Sequence, residues 1–147
     1  MRKVSRRIAN LAGRLLQTPA AGAGAAPETP EEAFLRRYES VRPRLTELVG
    51  RIGFRALLTR SLSLATAERP WLSAVQVDTE GCLTGLHEAL AGPGAAESEG
   101  CCTALLAHLL GLLASLIGAE LTGLLLSGAW PDIPMVETDF ATDEGEG

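Results

Sequence analysis

From Thr103 to Ala119 the chain reads TALLAHLLGLLASLIGA, seventeen residues without a formal charge in a sequence that is 21% charged. Such a run is stable either across a bilayer or surrounded by other elements in a protein core. With Ser98 as a cap and Gly128 as a stop, one helix here would be roughly 40 Å long, enough for either fate. Length alone does not separate them.

Angular distribution is more informative. Ala104, His108, Gly111, Ser115, Gly118 and Thr122 recur at alternating spacings of four and three, a stripe of small or weakly polar residues suited to close helix packing. Leu106, Leu109, Leu113, Leu116, Ile117 and Leu124 fill the opposite arc, and Glu120 falls among them. A single-pass span over residues 103–126 would aim that carboxyl at lipid. A soluble fold offers it a cation, and Arg55 and Arg60 are the candidate partners for a structural ion pair. No Lys or Arg follows residue 69, so a span would also lack basic flanks. The stretch is therefore expected to be a core helix, with a single-pass or peripheral membrane protein as the alternative.

The net charge of −5 conceals a strong asymmetry. Residues 1–69 hold all 13 cations against six acids, a balance of +7, while residues 70–147 hold 12 acids and no cation. Such a division marks charged tails or two parts of one fold that attract each other. Twelve of the 13 basic residues are Arg, which with the abundant Ala and Gly suggests a GC-rich bacterial genome. The three cysteines, Cys82, Cys101 and Cys102, are odd in number and include an adjacent pair, so buried thiols in a reducing cytoplasm are expected rather than a disulfide framework.

At the N-terminus, Val4, Ile8, Leu11 and Leu15 share one helical face and arginines occupy the rest, giving a basic amphipathic helix over residues 1–17. Residues 2–16 could meet an anionic membrane surface, an acidic partner or the protein's own domain. Its SRR is similar to the start of a twin-arginine export signal, but Arg14 interrupts the apolar run that such a signal requires. An Ala/Gly/Pro linker over 18–29 follows. In TPEE, Thr29 can cap a helix that has Pro30 at its first position and Glu31 and Glu32 in its first turn. That helix presents Phe34, Tyr38, Val41, Leu45, Leu48 and Ile52 inward, with a kink at Pro43. A second pattern after Gly50 and Gly53 carries Phe54, Leu57, Leu58, Leu62 and Ala65. Near 73–84, Val75 and Val77 alternate with polar residues before DTEG, which predicts a minor β-hairpin.

The expected fold is mainly α: a small helical bundle around one long central apolar helix, spanning 30–130, followed by an acidic disordered tail over 131–147. Chemistry is sparsely signalled. The segment around His108 partly resembles the phosphoacceptor helix of histidine phosphotransfer domains, with Ala107, His108, Leu110 and Gly118 at matching positions. That resemblance implies phosphoryl signalling through His108, although Gly111 stands where the family has Lys and Leu112 where it has Gly. Cys82, His87, Cys101, Cys102 and His108 do not form a metal pattern, since Cys101 and His108 lie two turns apart, about 10 Å. No phosphate loop, nucleophile elbow or paired-carboxylate motif is present. The expectation is a non-enzymatic cytoplasmic interaction or regulatory module without metal or cofactor. Its expected partner is an unidentified protein or a second copy of itself, with nucleic acid disfavoured by the acidic balance.

Overall fold

Helix α1 (Arg6–Gln17) uses its one apolar stripe to join the core: Ile8, Leu11, Ala12, Leu15 and Leu16 are buried, while Arg6, Arg7 and Arg14 face outward. This computed structural model describes residues 6–18, 29–133, 135 and 140; Val4 and most of the expected linker lie outside that set. The last turn of α1 leaves carbonyls without helical partners. Arginines of the next helix meet them, with Arg37 Nε donating to Leu15 O at 3.0 Å and Arg36 Nη2 to Thr18 O at 2.8 Å. Cations at a helix C-terminus are also favoured by its partial negative charge. The basic helix thus spends its apolar face on its own domain.

Helix α2 (Pro30–Glu68) starts with a complete capping box: Thr29 Oγ1 accepts from Glu32 N at 3.1 Å and Thr29 N donates to Glu32 Oε1 at 3.0 Å. Pro43, expected to kink it, keeps helical angles; it is exposed, so the carbonyl deprived of a donor can be hydrated. The break falls instead at Gly50, whose φ of 81° is a conformation natural to glycine. Its effect is measurable from the aromatics. Tyr38 and Phe54 would be about 24 Å apart along a straight helix, yet their ring centroids lie 6.0 Å apart. The second half of α2 therefore folds back toward the first, with Phe34 stacked on Tyr38 at 5.9 Å to continue the aromatic row.

A 3-10 turn (Pro70–Ala74) and the strands β1 (Gln76–Val77) and β2 (Leu83–Thr84) follow, paired antiparallel with Gln76 opposite Thr84 and Val77 opposite Leu83. Asp78 organises the connecting DTEG turn, its Oδ1 accepting from the Glu80 and Cys82 amides at 2.9 Å. Gly81 permits φ of 80° there and lies against the Phe54 ring, while its carbonyl accepts from Tyr38 Oη. The hairpin is thereby fastened to both halves of α2, as an otherwise marginal two-stranded unit requires.

After the short α3 (Leu86–Ala91), helix α4 (Ala95–Ile117) passes through the middle of the bundle, and its largest interface is with α2. Residues 104–110 are all buried, so this part is apolar around its whole circumference. Leu105, Leu106, Leu109, Leu110 and Leu113 are each at most 2% exposed, and burial of such side chains contributes about 1.5–3 kcal/mol apiece. The expected long central helix is divided, however. Gly118, at φ 92° and ψ 159°, ends α4 and starts α5 (Ala119–Ala129) on a new axis. The segment 103–126 is consequently not one straight span. Taken alone, α4 is long and apolar enough to cross a membrane, with mean hydropathy 2.0, and half of its most apolar window is buried within the fold.

The core also extends past the expected domain boundary at residue 130. Beside buried Trp130, Ile133 and Phe140 are buried and Met135 packs on the core, so these three residues of the expected acidic tail belong to the domain. The rest of that segment lies outside the described residues.

Candidate functional site

Three features fix α5 against the first half of α2. Trp130 Nε1 donates to Arg37 O at 3.0 Å, and Arg37 meets Asp132 through two bonds, Nη1 to Oδ1 and Nη2 to Oδ2, each 2.9 Å. The Arg44 guanidinium crosses Gly128 so closely that a Cβ there would lie 2.9 Å from Nη1. As the chain advances from 128 to 130, its neighbours on α2 recede from 44 to 37. The first half of α2 and α5 are therefore antiparallel.

These helices carry an apolar seam of exposed side chains. Leu48 is 49% exposed, Ile52 87%, Leu121 57% and Leu124 67%, with Leu116, at 58%, just before the Gly118 turn. Leu48 and Ile52 were expected to point inward by continuing the α2 stripe; the turn at Gly50 redirects the chain and leaves them outside. Single exposed leucines are ordinary, but five large apolar side chains exposed within six residues of the two glycine breaks, Gly50 and Gly118, are an unusual concentration. Exposed charges accompany it, Arg44, Glu47 and Arg51 on α2 and Glu120 on α5.

Glu120 does not meet Arg55 or Arg60. It is exposed in the first turn of α5, where a carboxylate suits the helix dipole, and it has no ion-pair partner among the described residues. Arg55 instead donates from Nε to Asp78 O at 3.0 Å, supporting the hairpin, and Arg60 is exposed. The Gly118 turn carries Glu120 off the axis on which the pairing was expected. The small-residue stripe is divided by the same turn. Ala104 and His108 are buried, Gly111 is partly so, Ser115 and Gly118 are exposed, and Thr122 is buried on α5 with Oγ1 donating to Gly118 O at 2.7 Å.

His108 lies beside a second, polar feature, a cleft of about 790 Å³ between α1, the end of α2 and α4. Ala9, Gly13, Gly100, Ala104 and Ala107 supply its small-residue walls, and Glu68, Arg69, Glu99 and Gln17 supply polar groups. Each polar group is already engaged: Arg69 Nη1 with Glu97 Oε2 at 3.0 Å, Gln17 Nε2 with Glu99 Oε2 at 3.0 Å, and His108 Nε2 with Glu68 Oε2 at 2.9 Å. A carboxylate only accepts, so Nε2 of His108 carries the proton and donates it. The His108 side chain is 3% exposed. The ring is thus buried, with its Nε2 bonded to Glu68.

The remaining chemistry-bearing groups are dispersed. No group of three or more His, Cys, Asp or Glu able to hold a metal occurs among the described residues. Cys101 and Cys102 are buried, and burial raises both thiols, Cys102 to about 12. Cys82 is half-buried, with its Sγ 3.3 Å from Arg42 Nη1. His87 is exposed and its affinity for a proton is raised by the bond of Nδ1 to Glu31 Oε1, 2.9 Å away.

Sequence reasoning missed Arg37, Asp132 and Trp130, the groups that hold the seam in place. A signal for Arg37 was present: it lies three residues after Phe34 and four before Val41, on the apolar face. Its partners, 93 and 95 residues distant, had no local signal. No protein-family model matches the chain, and neither curated proteins nor solved structures yield a match.

Proposed function

We propose that this protein is a non-catalytic interaction module of a reducing, cytoplasmic compartment, which binds another polypeptide through the seam between α2 and α5. The single observation that carries this reading is the exposure of the large apolar side chains Leu48 and Ile52 on α2 and Leu121 and Leu124 on α5. Covering such a patch releases water from apolar surface, the usual driving force for association. The three free cysteines support the compartment. A regulatory role follows if the partner's own activity depends on being held there.

A photo-crosslinking amino acid placed at Leu121 and expressed in cells tests the reading. A discrete polypeptide adduct that disappears when Ile52→Glu is added supports it. Loss of the adduct with unchanged thermal stability is the required pattern, because it separates lost contact from lost fold. No adduct, or one indifferent to Ile52, rejects the seam as a binding surface.

Membrane association is the second reading, drawn from the hydropathy of 2.0 in α4. Half of that window's surface is already used in packing, and α1 has its apolar face in the core, so the reading requires the bundle to open. Retention of the protein in membranes after an alkaline carbonate wash would favour it over the interaction module.

A further inference from the structure

We infer that the cleft between α1, the end of α2 and α4 binds an aliphatic diamine in its doubly protonated form. The site is separate from the α2–α5 seam and stands whether or not the seam holds a polypeptide. At about 790 Å³ the cleft has room for a short alkyl chain, and its polar groups are each engaged through one atom only. His108 bonds Glu68 Oε2 through Nε2, and its Nδ1 has no partner among the described residues. With the proton on Nε2, Nδ1 can only accept. No described side-chain nitrogen or oxygen is both sealed from solvent and without a partner. Nδ1, on a side chain only 3% exposed, therefore opens to the cleft that His108 lines. An acceptor so placed is satisfied by an N–H of a ligand.

The charges select a cation. Arg69 lies across Gly100, where a Cβ would stand 2.8 Å from its Cζ, and its charge is met by Glu97 at 3.0 Å. Among the described residues no arginine of α1 lines the cleft. Glu68 and Glu99 are left with neutral partners, His108 and Gln17, each bonded through Oε2 and with Oε1 open. An ammonium between Glu68 Oε1 and His108 Nδ1 gains a counter-charge and a second acceptor. The C-terminus of α2, which ends at Glu68, adds its partial negative charge there. Glu99 stands on the α1 margin of the same cleft, nine residues before His108 and so about 13 Å away along α4. One ammonium cannot reach both places; a ligand with two can. Between them lie Ala9, Gly13, Ala104 and Ala107, against which methylene groups lose water. A zinc ion would ask for three or four converging ligands, and no such group occurs among the described residues. Gly13 keeps the space open. It sits inside α1, where alanine favours the helix, yet a Cβ there would meet nothing within 4 Å, so neither backbone nor packing calls for glycine.

Isothermal titration calorimetry of the purified full chain with 1,5-diaminopentane at neutral pH is expected to show saturable binding of one diamine per chain. Pentane-1,5-diol and glutarate, similar in length and without positive charge, should show none. Glu68→Gln should weaken binding by at least about tenfold, or about 1.4 kcal/mol, and Ile52→Glu in the seam should leave it unchanged. Gly13→Leu enters open space and should abolish binding with the melting temperature unchanged or raised. The chain has two histidines, so nitrogen-15 spectra of the rings should show Nδ1 of His108 shifting on titration while His87 stays still. That signal reads the site directly if Gly13→Leu does not fold. Absence of saturation at millimolar diamine, a diol that binds as well, a folded Gly13→Leu chain that keeps its affinity, or an unmoved His108 Nδ1 each overturn the site. An acetylated lysine amide that binds as tightly as the diamine overturns the diamine in favour of a partner's lysine side chain.

Discussion

Asp132→Asn is the sharpest probe of the architecture, because it exchanges a single oxygen for an amide nitrogen at the point where α1, α2 and the segment after α5 converge. Arg37 is 2% exposed, and it places three guanidinium donors: one on Leu15 O and two on the Asp132 carboxylate. Asparagine keeps one acceptor oxygen but turns an amide N–H toward a donor of Arg37 and leaves the buried cation without a counter-charge. Removing one partner of a fully buried pair costs about 3–5 kcal/mol. The Asp132 side chain is 28% exposed, so water can replace part of what is lost, and the expected cost falls to roughly 2–3 kcal/mol. For a domain of this size that corresponds to a drop of about 10 °C in melting temperature and about 1–2 M in the urea midpoint.

The pH dependence supplies the discriminating sign. The bonds from Arg37 lower the Asp132 pKa below its ordinary value. A carboxylate whose folded pKa is depressed contributes stability above its unfolded value, near 3.9, and loses that contribution as pH falls through the folded value. Urea titrations followed by circular dichroism should therefore show the full gap between wild type and Asp132→Asn at neutral pH and a shrinking gap below about pH 4. Equal midpoints at neutral pH, or a gap that stays constant on acidification, would refute the assignment of Asp132 as the counter-charge of Arg37.

Other consequences are as direct. Gly118→Ala places a Cβ where φ is 92° but finds open space around it; the cost is backbone strain alone, about 1–3 kcal/mol, and an undiminished melting temperature would mean that the α4–α5 turn relaxes freely. Leu106→Ala removes a side chain 0% exposed at the centre of α4 and should destabilise by about 2–5 kcal/mol in equilibrium unfolding. Cys101 and Cys102, both buried with raised thiol pKa values, should resist an aromatic disulfide reagent in the native state, Cys82 reacting first and the other two only with denaturant; rapid reaction of all three would contradict the packing.

How much of this was legible in the sequence depends on the distance over which each feature is decided. The start of α2 was readable because Thr29 and Glu32 cap each other within four residues. The hairpin was readable because Asp78 satisfies the amides of its own turn, and the buried character of 104–110 followed from an uncharged run that water disfavours. These choices belong to short-range hydrogen bonding and local hydrophobicity, so any chain with those residues would make them. Where a helix breaks and which charge is buried are decided otherwise. Pro43 looked the stronger breaker, yet Gly50 and Gly118 turn the chain because Tyr38 gains Phe54 and Trp130 gains the Arg37 carbonyl only if it turns there. His108 takes Glu68 from 40 residues away, Arg37 takes Asp132 from 95 residues away, and Glu120 is left at the surface beside an apolar seam. The elements and the charge division were therefore determined by the sequence alone. The seam exists only in the tertiary structure, because its two edges lie some seventy residues apart in the chain and are brought side by side by contacts that no local pattern encodes.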